Sequence, residues 1–166
     1  MWRSFLPKAF ATDKCKVVAY IREHLLSSLI ITNLLDHRLA SPSCLVLDIS
    51  FESDRFQIIC FYHVVLKKGH ALSSLFSHSL DDLTPVIALG DFNTHSRLWS
   101  PLSVSPSPWA PAFEDWLGPN GLNFLNDPTI PAWRGRHDQK ESTFDLVLVN
   151  EVASSLLSLS PHRVLC

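Results

Sequence analysis

The chain has 166 residues, of which 46% are hydrophobic and 18% are charged, and its formal net charge is −2. This length fits one domain, and the composition excludes an intrinsically disordered chain, since disorder requires low hydrophobicity and high net charge. The charge balance argues against a surface that coats polyanions but allows a nucleic-acid enzyme with a local basic patch. No stretch of about 18 consecutive apolar residues is present, so we expect no membrane span, and we see no targeting signal.

The cysteines favour a reducing compartment. Cys15, Cys44, Cys60 and Cys166 show no CxxC spacing, which argues against a zinc site. Cys44 and Cys60 stand among apolar residues, where a buried free thiol is the ordinary outcome. We therefore expect free thiols rather than disulfides.

Short apolar runs separated by polar or proline-rich segments predict five β-strands. The predicted strands cover residues 16–21, 45–49, 56–62, 85–89 and 144–149, with a hairpin turn at 52–55. The run at 85–89 (PVIAL) is continuously apolar, as expected for a strand that is buried on both faces.

Helical spacing of apolar residues predicts helices at 70–83, 112–117 and 151–159. The proline-rich segment at 100–111 suits neither regular element, so we interpret it as a surface loop. Strands and helices are mixed along the chain, which indicates an α/β or α+β fold.

The strongest local motif is Gly90-Asp91-Phe92-Asn93, directly after the PVIAL run. Residues two apart on an extended segment share a face, so Asp91 and Asn93 are expected to point the same way. They follow the C-terminal end of a strand, where ligands bind in open α/β sheets. A carboxylate beside a neutral amide suits hydrated Mg²⁺ and a phosphate oxygen. The alternative is an ordinary turn, because Asp, Asn and Gly are all turn residues.

A second motif, Ser142-Thr143-Phe144-Asp145, opens the last predicted strand. Asp145 begins an otherwise apolar run, and a buried carboxylate without a partner is costly. A histidine, an arginine or a metal would serve as that partner. The alternative is a carboxylate at the sheet edge in water.

These motifs in this order resemble the endonuclease/exonuclease/phosphatase superfamily, and most closely the apurinic-like endonuclease domain of non-LTR retrotransposons. The segment FQIICFYH at 56–63 resembles the family strand that ends in Asn-x-Tyr. The segment GDFNTHSRLW at 90–99 resembles the retrotransposon form of the Asp-x-Asn motif, and NGL, ND and PT at 120–129 resemble the segment before the S-x-x-D strand. The resemblance covers roughly residues 16–150.

The resemblance implies a four-layer sandwich of two packed mixed β-sheets flanked by helices. It also implies Mg²⁺-dependent hydrolysis of a DNA phosphodiester. Tyr62 would contact the scissile phosphate, and Asp91 would bind the metal and activate or position the attacking water. Asn93 would orient that water or the phosphate, and Asp145 would orient a catalytic histidine.

Further substrate contacts are expected around this site. By resemblance, Thr129 touches the phosphate backbone. His95 is either a phosphate contact or a loop histidine. Arg134 and Arg136, with His137 and Lys140, form a basic loop that either approaches DNA or is simply solvated. Four tryptophans are expected mainly to pack in the core, although one of them could stack on a base: Trp99, Trp109, Trp116 and Trp133.

The sequence departs from the family pattern at both ends. The family's early Asn and its metal-binding Glu have no counterpart in residues 1–15, and Glu23 follows the first predicted strand, which is the wrong place for it. The family's terminal Ser-Asp-His is also absent, since residues 160–162 are Ser-Pro-His. Cys60 stands where the family has the Asn of Asn-x-Tyr.

We therefore expect a partial domain at 16–150 between non-matching segments at 1–15 and 151–166. Asp91 alone is a poor Mg²⁺ site, because this ion needs several oxygen ligands. The absent histidine removes charge stabilisation at the phosphate. We expect weak or no activity from such a chain.

The resulting prediction is a DNA-nicking endonuclease domain of retrotransposon origin, either a monomer or part of a larger polyprotein. A DNA substrate implies a nuclear or cytoplasmic location. Three alternatives remain: a phosphatase of the same superfamily acting on phosphoinositides or sphingomyelin, a non-catalytic remnant that binds nucleic acid or a partner, and a non-folding pseudogene product. The spacing of His95 and Trp99 favours the retrotransposon branch over the first alternative, whereas the missing Glu and Ser-Asp-His favour the second.

Overall fold

A computed structural model describes residues 1–7, 15–63, 75–81, 83–100, 105–127, 130 and 145–158. The strands are β1 (Trp2–Phe5), β2 (Ala19–Arg22), β3 (Ile30–Asn33), β4 (Cys44–Phe51), β5 (Asp54–Tyr62), β6 (Val86–Asp91), β7 (Leu122–Phe124) and β8 (Asp145–Asn150). The helices are α1 (Ala110–Leu117), α2 (Glu151–Ser158) and a 3₁₀ helix (Glu23–Ser27). Within these ranges, no helix is long and apolar enough to cross a membrane.

Six strands form one mixed sheet in the order β3-β4-β5-β6-β8-β7, and β1 pairs with β2 in a separate antiparallel sheet. In the large sheet β5 and β6 are parallel, while the other pairings are antiparallel. The C-terminal ends of β5 and β6 therefore meet at one edge of the sheet, where β8 begins. We call this edge, marked by Tyr62, Asp91 and Asp145, the carboxyl edge.

Alternate residues of the large sheet enter two different cores. On one face, Cys44 and Val46 of β4 join a core that contains Phe113 of α1. On the other face, Leu45 and Leu47 pack with Phe5 of the small sheet. Because side chains alternate along a strand, the large sheet lies between a helical layer and the small sheet.

The predicted mixed α/β class and the packing of one sheet on another are confirmed. The small sheet, however, has two strands in the described part of the chain and is antiparallel rather than mixed.

The predicted strands at 45–49 and 56–62 are confirmed and are longer than expected. They form a hairpin in which Phe51 pairs with Asp54, so the turn is shorter than the predicted 52–55. The strand predicted at 16–21 begins only at Ala19. The strand predicted at 85–89 is β6, where Val86 and Ala88 are buried but the alternate positions are half-buried, so burial on both faces was overestimated. In the last predicted strand, residue 144 lies outside the described ranges and the rest is β8.

The helix predicted at 151–159 is α2, and residue 159 lies outside the described ranges. The helix predicted at 112–117 starts two residues earlier, at Ala110, because Pro111 is tolerated in a first turn where no amide hydrogen bond is lost. This corrects the predicted loop at 100–111, of which residues 101–104 are not described. The helix predicted at 70–83 is helical at residues 75 and 76 but not at 78–81, while 70–74 lie outside the description.

The buried side chain of Asn150 holds the end of the sheet opposite the carboxyl edge. Its Oδ1 accepts hydrogen bonds from the amides of Val86 at 3.0 Å and Ala153 at 3.0 Å, and its Nδ2 donates to the carbonyl of Thr84 at 2.8 Å. One amide thus joins the start of β6, the end of β8 and the first turn of α2. It stabilises the register in which β6 and β8 pair.

Replacing Asn150 with alanine is expected to lower the free energy of unfolding by about 3 kcal/mol, because two buried amides and a carbonyl lose their partner. The measurement is urea denaturation. The control is Asn123→Ala at an exposed position, where the side chain makes only a 3.4 Å local contact with Gly121. Equal stability of the two variants would contradict this role for Asn150.

Candidate active site

Three predicted site residues lie side by side at the carboxyl edge. Tyr62 pairs with Asp91 across β5 and β6, and Asp91 pairs with Asp145 across β6 and β8. The preceding row of the same strands, which includes Phe61 and Leu146, enters the helix-side core. Because side chains alternate, Tyr62, Asp91 and Asp145 project from the opposite face, on adjacent strands about 4.8 Å apart.

Gly90 makes this row possible. Its φ is +143°, and a β-carbon built on it would lie 1.8 Å from the carbonyl oxygen of Phe61. No other residue type fits at this distance. Glycine therefore lets β6 approach β5 directly before Asp91.

The segment after Gly90 forms a local turn. The carboxylate of Asp91 accepts a hydrogen bond from the backbone amide of Asn93 at 2.9 Å. Asn93 has φ +45°, in the left-handed region that asparagine tolerates better than most residues. Its Nδ2 donates to the carbonyl of His63 at 2.8 Å. The turn that the sequence analysis gave as the alternative is therefore present, and the interpretation as a binding site stays a prediction. The Asn93 side chain ties the loop to the end of β5.

His63, to which the sequence analysis assigned no role, is part of this edge. Its backbone amide donates to the carbonyl of Asp91 at 2.8 Å, and the residue is only 4% exposed. In the described part of the chain its Nδ1 has no hydrogen-bond partner. Burial lowers the pKa of His63, so the neutral imidazole is favoured. The sequence signal that could have identified His63 as part of this edge was its position directly after Tyr62.

An aromatic cluster lies beneath the site loop. The ring of Phe92 stacks on Phe113 of α1 with centroids 5.0 Å apart and contacts Phe61 at 5.3 Å. Trp99 packs edge-on against Phe113 at 5.2 Å and donates from Nε1 to the carbonyl of Thr94 at 2.7 Å. The predicted packing role is confirmed for Trp99 and Trp116, which are both buried, whereas Trp109 is exposed.

His95 lies in the same loop and is half-buried. Two hydrogen bonds hold its backbone to Ser107. The His95 amide donates to the Ser107 hydroxyl at 2.8 Å, and the His95 carbonyl accepts from the Ser107 amide at 2.8 Å. Next to it, the Ser96 hydroxyl donates to the Glu114 carboxylate on α1. Burial lowers the pKa of His95, which favours a neutral side chain over a cationic phosphate contact.

The two carboxylates at the edge are electrostatically unfavourable. Burial raises the pKa of Asp91, and the hydrogen bonds from Asn93 partly oppose this rise. Asp145 is exposed at the start of β8, as the sheet-edge alternative expected. Partial burial of its carboxylate nevertheless raises its pKa, and the negative charge of Asp91 raises it further. Among the described residues, the charged group that acts on Asp145 is Asp91; the orientation of a histidine by Asp145 stays a prediction.

This donor pair suits Mg²⁺ only in part. Proteins commonly bind this ion through one or two carboxylates and complete its shell with water and substrate phosphate. Asp91 and Asp145 supply two carboxylates, and a cation near them would relieve their repulsion. In the part of the chain that the structure describes, no group of three or more His, Cys, Asp or Glu side chains could hold a metal ion.

Asn126 positions Asp145 from the neighbouring strand. Its Nδ2 donates to the carbonyl of Asp145 at 3.0 Å, and its Oδ1 accepts a hydrogen bond from the amide of Val147. The side chain thus extends the β7–β8 pairing past the end of β7. Sequence analysis had noted Asn126 within a family segment without assigning it a role.

The predicted substrate contacts Thr129, Arg134 and Arg136 lie outside the described residues, as does Trp133. The predicted free thiols are confirmed for Cys15, Cys44 and Cys60. Burial raises the pKa of Cys44 to about 12 and that of Cys60 to about 11, so both thiols stay protonated.

Comparison with known proteins agrees with the resemblance seen in the motifs. The family model described as endonuclease-reverse transcriptase matches residues 56–164. The fold is similar to that of the endonuclease domain of TRAS1, a telomere-specific non-LTR retrotransposon, with a TM-score of 0.76 and 19% sequence identity over 93% of this chain and 69% of that domain. No curated protein sequence matches the chain significantly.

Gly90→Ala is expected to lower the free energy of unfolding by more than about 3 kcal/mol, because the new methyl group meets backbone rather than a movable side chain. The matched control is Gly118→Ala, where φ is −57° and no atom lies within 4 Å of the added carbon. Thermal and urea denaturation would measure both variants. A Gly90→Ala protein as stable as the control would refute the close approach.

Asp145→Asn is expected to stabilise the folded protein at pH 7 by about 0.5 kcal/mol, since it removes a like-charge pair across two strands. The folded-state pKa of Asp145 lies above its ordinary value of 3.8, so the folded state binds more protons and wild-type stability falls as pH rises through that window.

The stability difference between Asp145→Asn and wild type should therefore shrink as pH falls and vanish below about 3.8. Thermal denaturation as a function of pH measures it, with Asp54→Asn at an exposed position of the hairpin as control. A difference that is independent of pH would exclude charge repulsion as its cause.

Proposed function

Because the chain belongs to the endonuclease-reverse transcriptase family, we propose that it is a metal-dependent phosphodiester hydrolase that nicks DNA. The observation that carries this proposal is the row of Tyr62, Asp91 and Asp145 on one face of the carboxyl edge. A phenol and two carboxylates on adjacent strands supply a phosphate contact, a base and metal ligands within one site. The likeness of the fold to an endonuclease domain of a non-LTR retrotransposon supports DNA as the substrate class.

Asp91 is the base in this proposal. Burial raises its pKa, which makes its carboxylate a better proton acceptor for an attacking water. Asn93 holds this carboxylate in place through its backbone amide, and the contact of its side chain with His63 anchors the turn. In addition to positioning Asp91, Asn93 would orient the attacking water or the phosphate.

Tyr62 lies on the other side of Asp91 and is partly exposed. Its backbone amide donates to the carbonyl of Ser43 at 2.9 Å, which anchors the end of β5 to the turn before β4. A phenol held at this position can donate to a non-bridging phosphate oxygen. It would thereby orient the phosphorus toward the water held by Asp91.

Mg²⁺, when bound, neutralises charge that develops on the phosphate. Asp91 and Asp145 are the residues that would hold it. Two carboxylates leave most of its coordination shell to water and substrate, so we expect weak metal binding and weak catalysis. The orientation of a histidine by Asp145 stays a prediction.

Supercoiled-plasmid nicking tests the proposal. We expect slow nicking that requires Mg²⁺ and falls at least about 100-fold in Asp91→Ala, since a positioned base contributes about that much or more. Tyr62→Phe should lose less, because only one hydrogen bond is removed. Asp54→Asn, an exposed acidic residue far from the carboxyl edge, should retain wild-type activity.

Nicking that survives in Asp91→Ala would overturn the assigned site. Magnesium-independent DNA binding without cleavage would instead favour a non-catalytic binding protein. Release of phosphate from phosphoinositides, with intact plasmid in the same assay, would favour a phosphatase of the same superfamily.

A further inference from the structure

The small sheet exposes a row of basic and aromatic side chains on its outer face. Along residues 15–22 the even positions are exposed and the odd positions are half-buried. The odd positions Val17, Ala19 and Ile21 pack against the large sheet. The outward side chains are Lys16, Val18, Tyr20 and Arg22, and with Trp2 of β1 we call them the outer strip.

The register of β1 and β2 completes this strip. Trp2 pairs with Arg22, and Ser4 pairs with Tyr20, so all four share the outer face. The guanidinium of Arg22 lies 5.1 Å from the centre of the Trp2 ring. Trp2 nevertheless stays 56% exposed and Tyr20 63% exposed. Both rings are therefore open to contact from outside the protein.

Two cations lie at the ends of the strip. An extended chain spans about 3.3 Å per residue, so Lys16 and Arg22 are separated by at most about 20 Å. The Lys16 end lies next to the carboxyl edge, because the Lys16 amide donates to the carbonyl of Pro42 at 2.9 Å and the adjacent Ser43 carbonyl accepts from Tyr62 at 2.9 Å. The Arg22 end lies at the opposite end of the sheet, where Glu23 follows it in the 3₁₀ helix.

We propose that the outer strip binds single-stranded nucleic acid. Unpaired bases stack on exposed aromatic rings whatever their sequence, and arginine and lysine contact the phosphates between them. Two cations, Lys16 and Arg22, and two aromatic rings, Tyr20 and Trp2, thus offer both kinds of contact on one face. The face is distinct from the row of Tyr62, Asp91 and Asp145, so the proposal does not depend on nicking activity.

Fluorescence anisotropy with a labelled oligothymidine tests the strip. We expect wild type to bind this single strand more tightly than a duplex of equal length, and Trp2→Ala/Tyr20→Ala to weaken binding at least tenfold. Lys16→Ala/Arg22→Ala should reduce the slope of log affinity against log salt by about 1.4, since each phosphate contact on a single strand contributes about 0.7. The matched control is Phe51→Ala/Arg55→Ala, an exposed aromatic and an exposed arginine on the β4–β5 hairpin.

Circular dichroism establishes that each variant is folded, and Trp2→Phe, which keeps a ring, should retain most of the affinity. Unchanged affinity in Trp2→Ala/Tyr20→Ala, an unchanged salt slope in Lys16→Ala/Arg22→Ala, or a preference of wild type for the duplex would each overturn the proposal. Asp54→Asn, at an exposed position of the hairpin, should bind the single strand as wild type does. A protein that binds in this way but never nicks would refute the proposed hydrolase and leave the outer strip intact.

Discussion

The parallel pairing of β5 with β6 is the constraint on which the candidate site depends. It is the one parallel pairing in the described sheet, and it brings the C-terminal ends of two strands to the same edge. Gly90 makes this pairing possible directly before Asp91, because any β-carbon there would collide with the Phe61 carbonyl. Tyr62, Asp91 and Asp145 then fall into one row without any further adjustment of the backbone.

Several unfavourable features are concentrated at this edge. Two carboxylates face each other, Asn93 adopts a left-handed conformation, and the buried imidazole of His63 has an Nδ1 without a hydrogen-bond partner in the described residues. Such features persist only where the surrounding structure holds them, and they are typical of functional sites. Here the support comes from the aromatic cluster under the loop, from Asn150 at the far end of β8 and from Asn126 beside Asp145.

The net charge of −2 hides an uneven distribution of charge over the surface. The carboxyl edge holds the acidic pair Asp91 and Asp145, whereas the outer strip on the small sheet carries two cations. Both surfaces follow from the same alternation of side chains, since the odd residues that build the core between the sheets leave the even residues of β2 outside. A chain without overall basic character can therefore present separate acidic and basic surfaces.

Local patterns in the sequence determined the class of fold, the strands on either side of the β4–β5 hairpin, and the two motifs that identified the family. They did so because the period of two, turn residues and a strand-ending Asp-x-Asn are properties of neighbouring residues. They failed at 70–83, where the apolar spacing continued past the end of the helix. They also missed β1, β3 and β7, because these short strands are held by pairing with distant partners. Only the tertiary structure decided that Asp145 faces Asp91, that His63 and Asn126 belong to the same edge, and that Trp2 and Arg22 share a surface, because the register between strands far apart in the chain is set by their mutual packing.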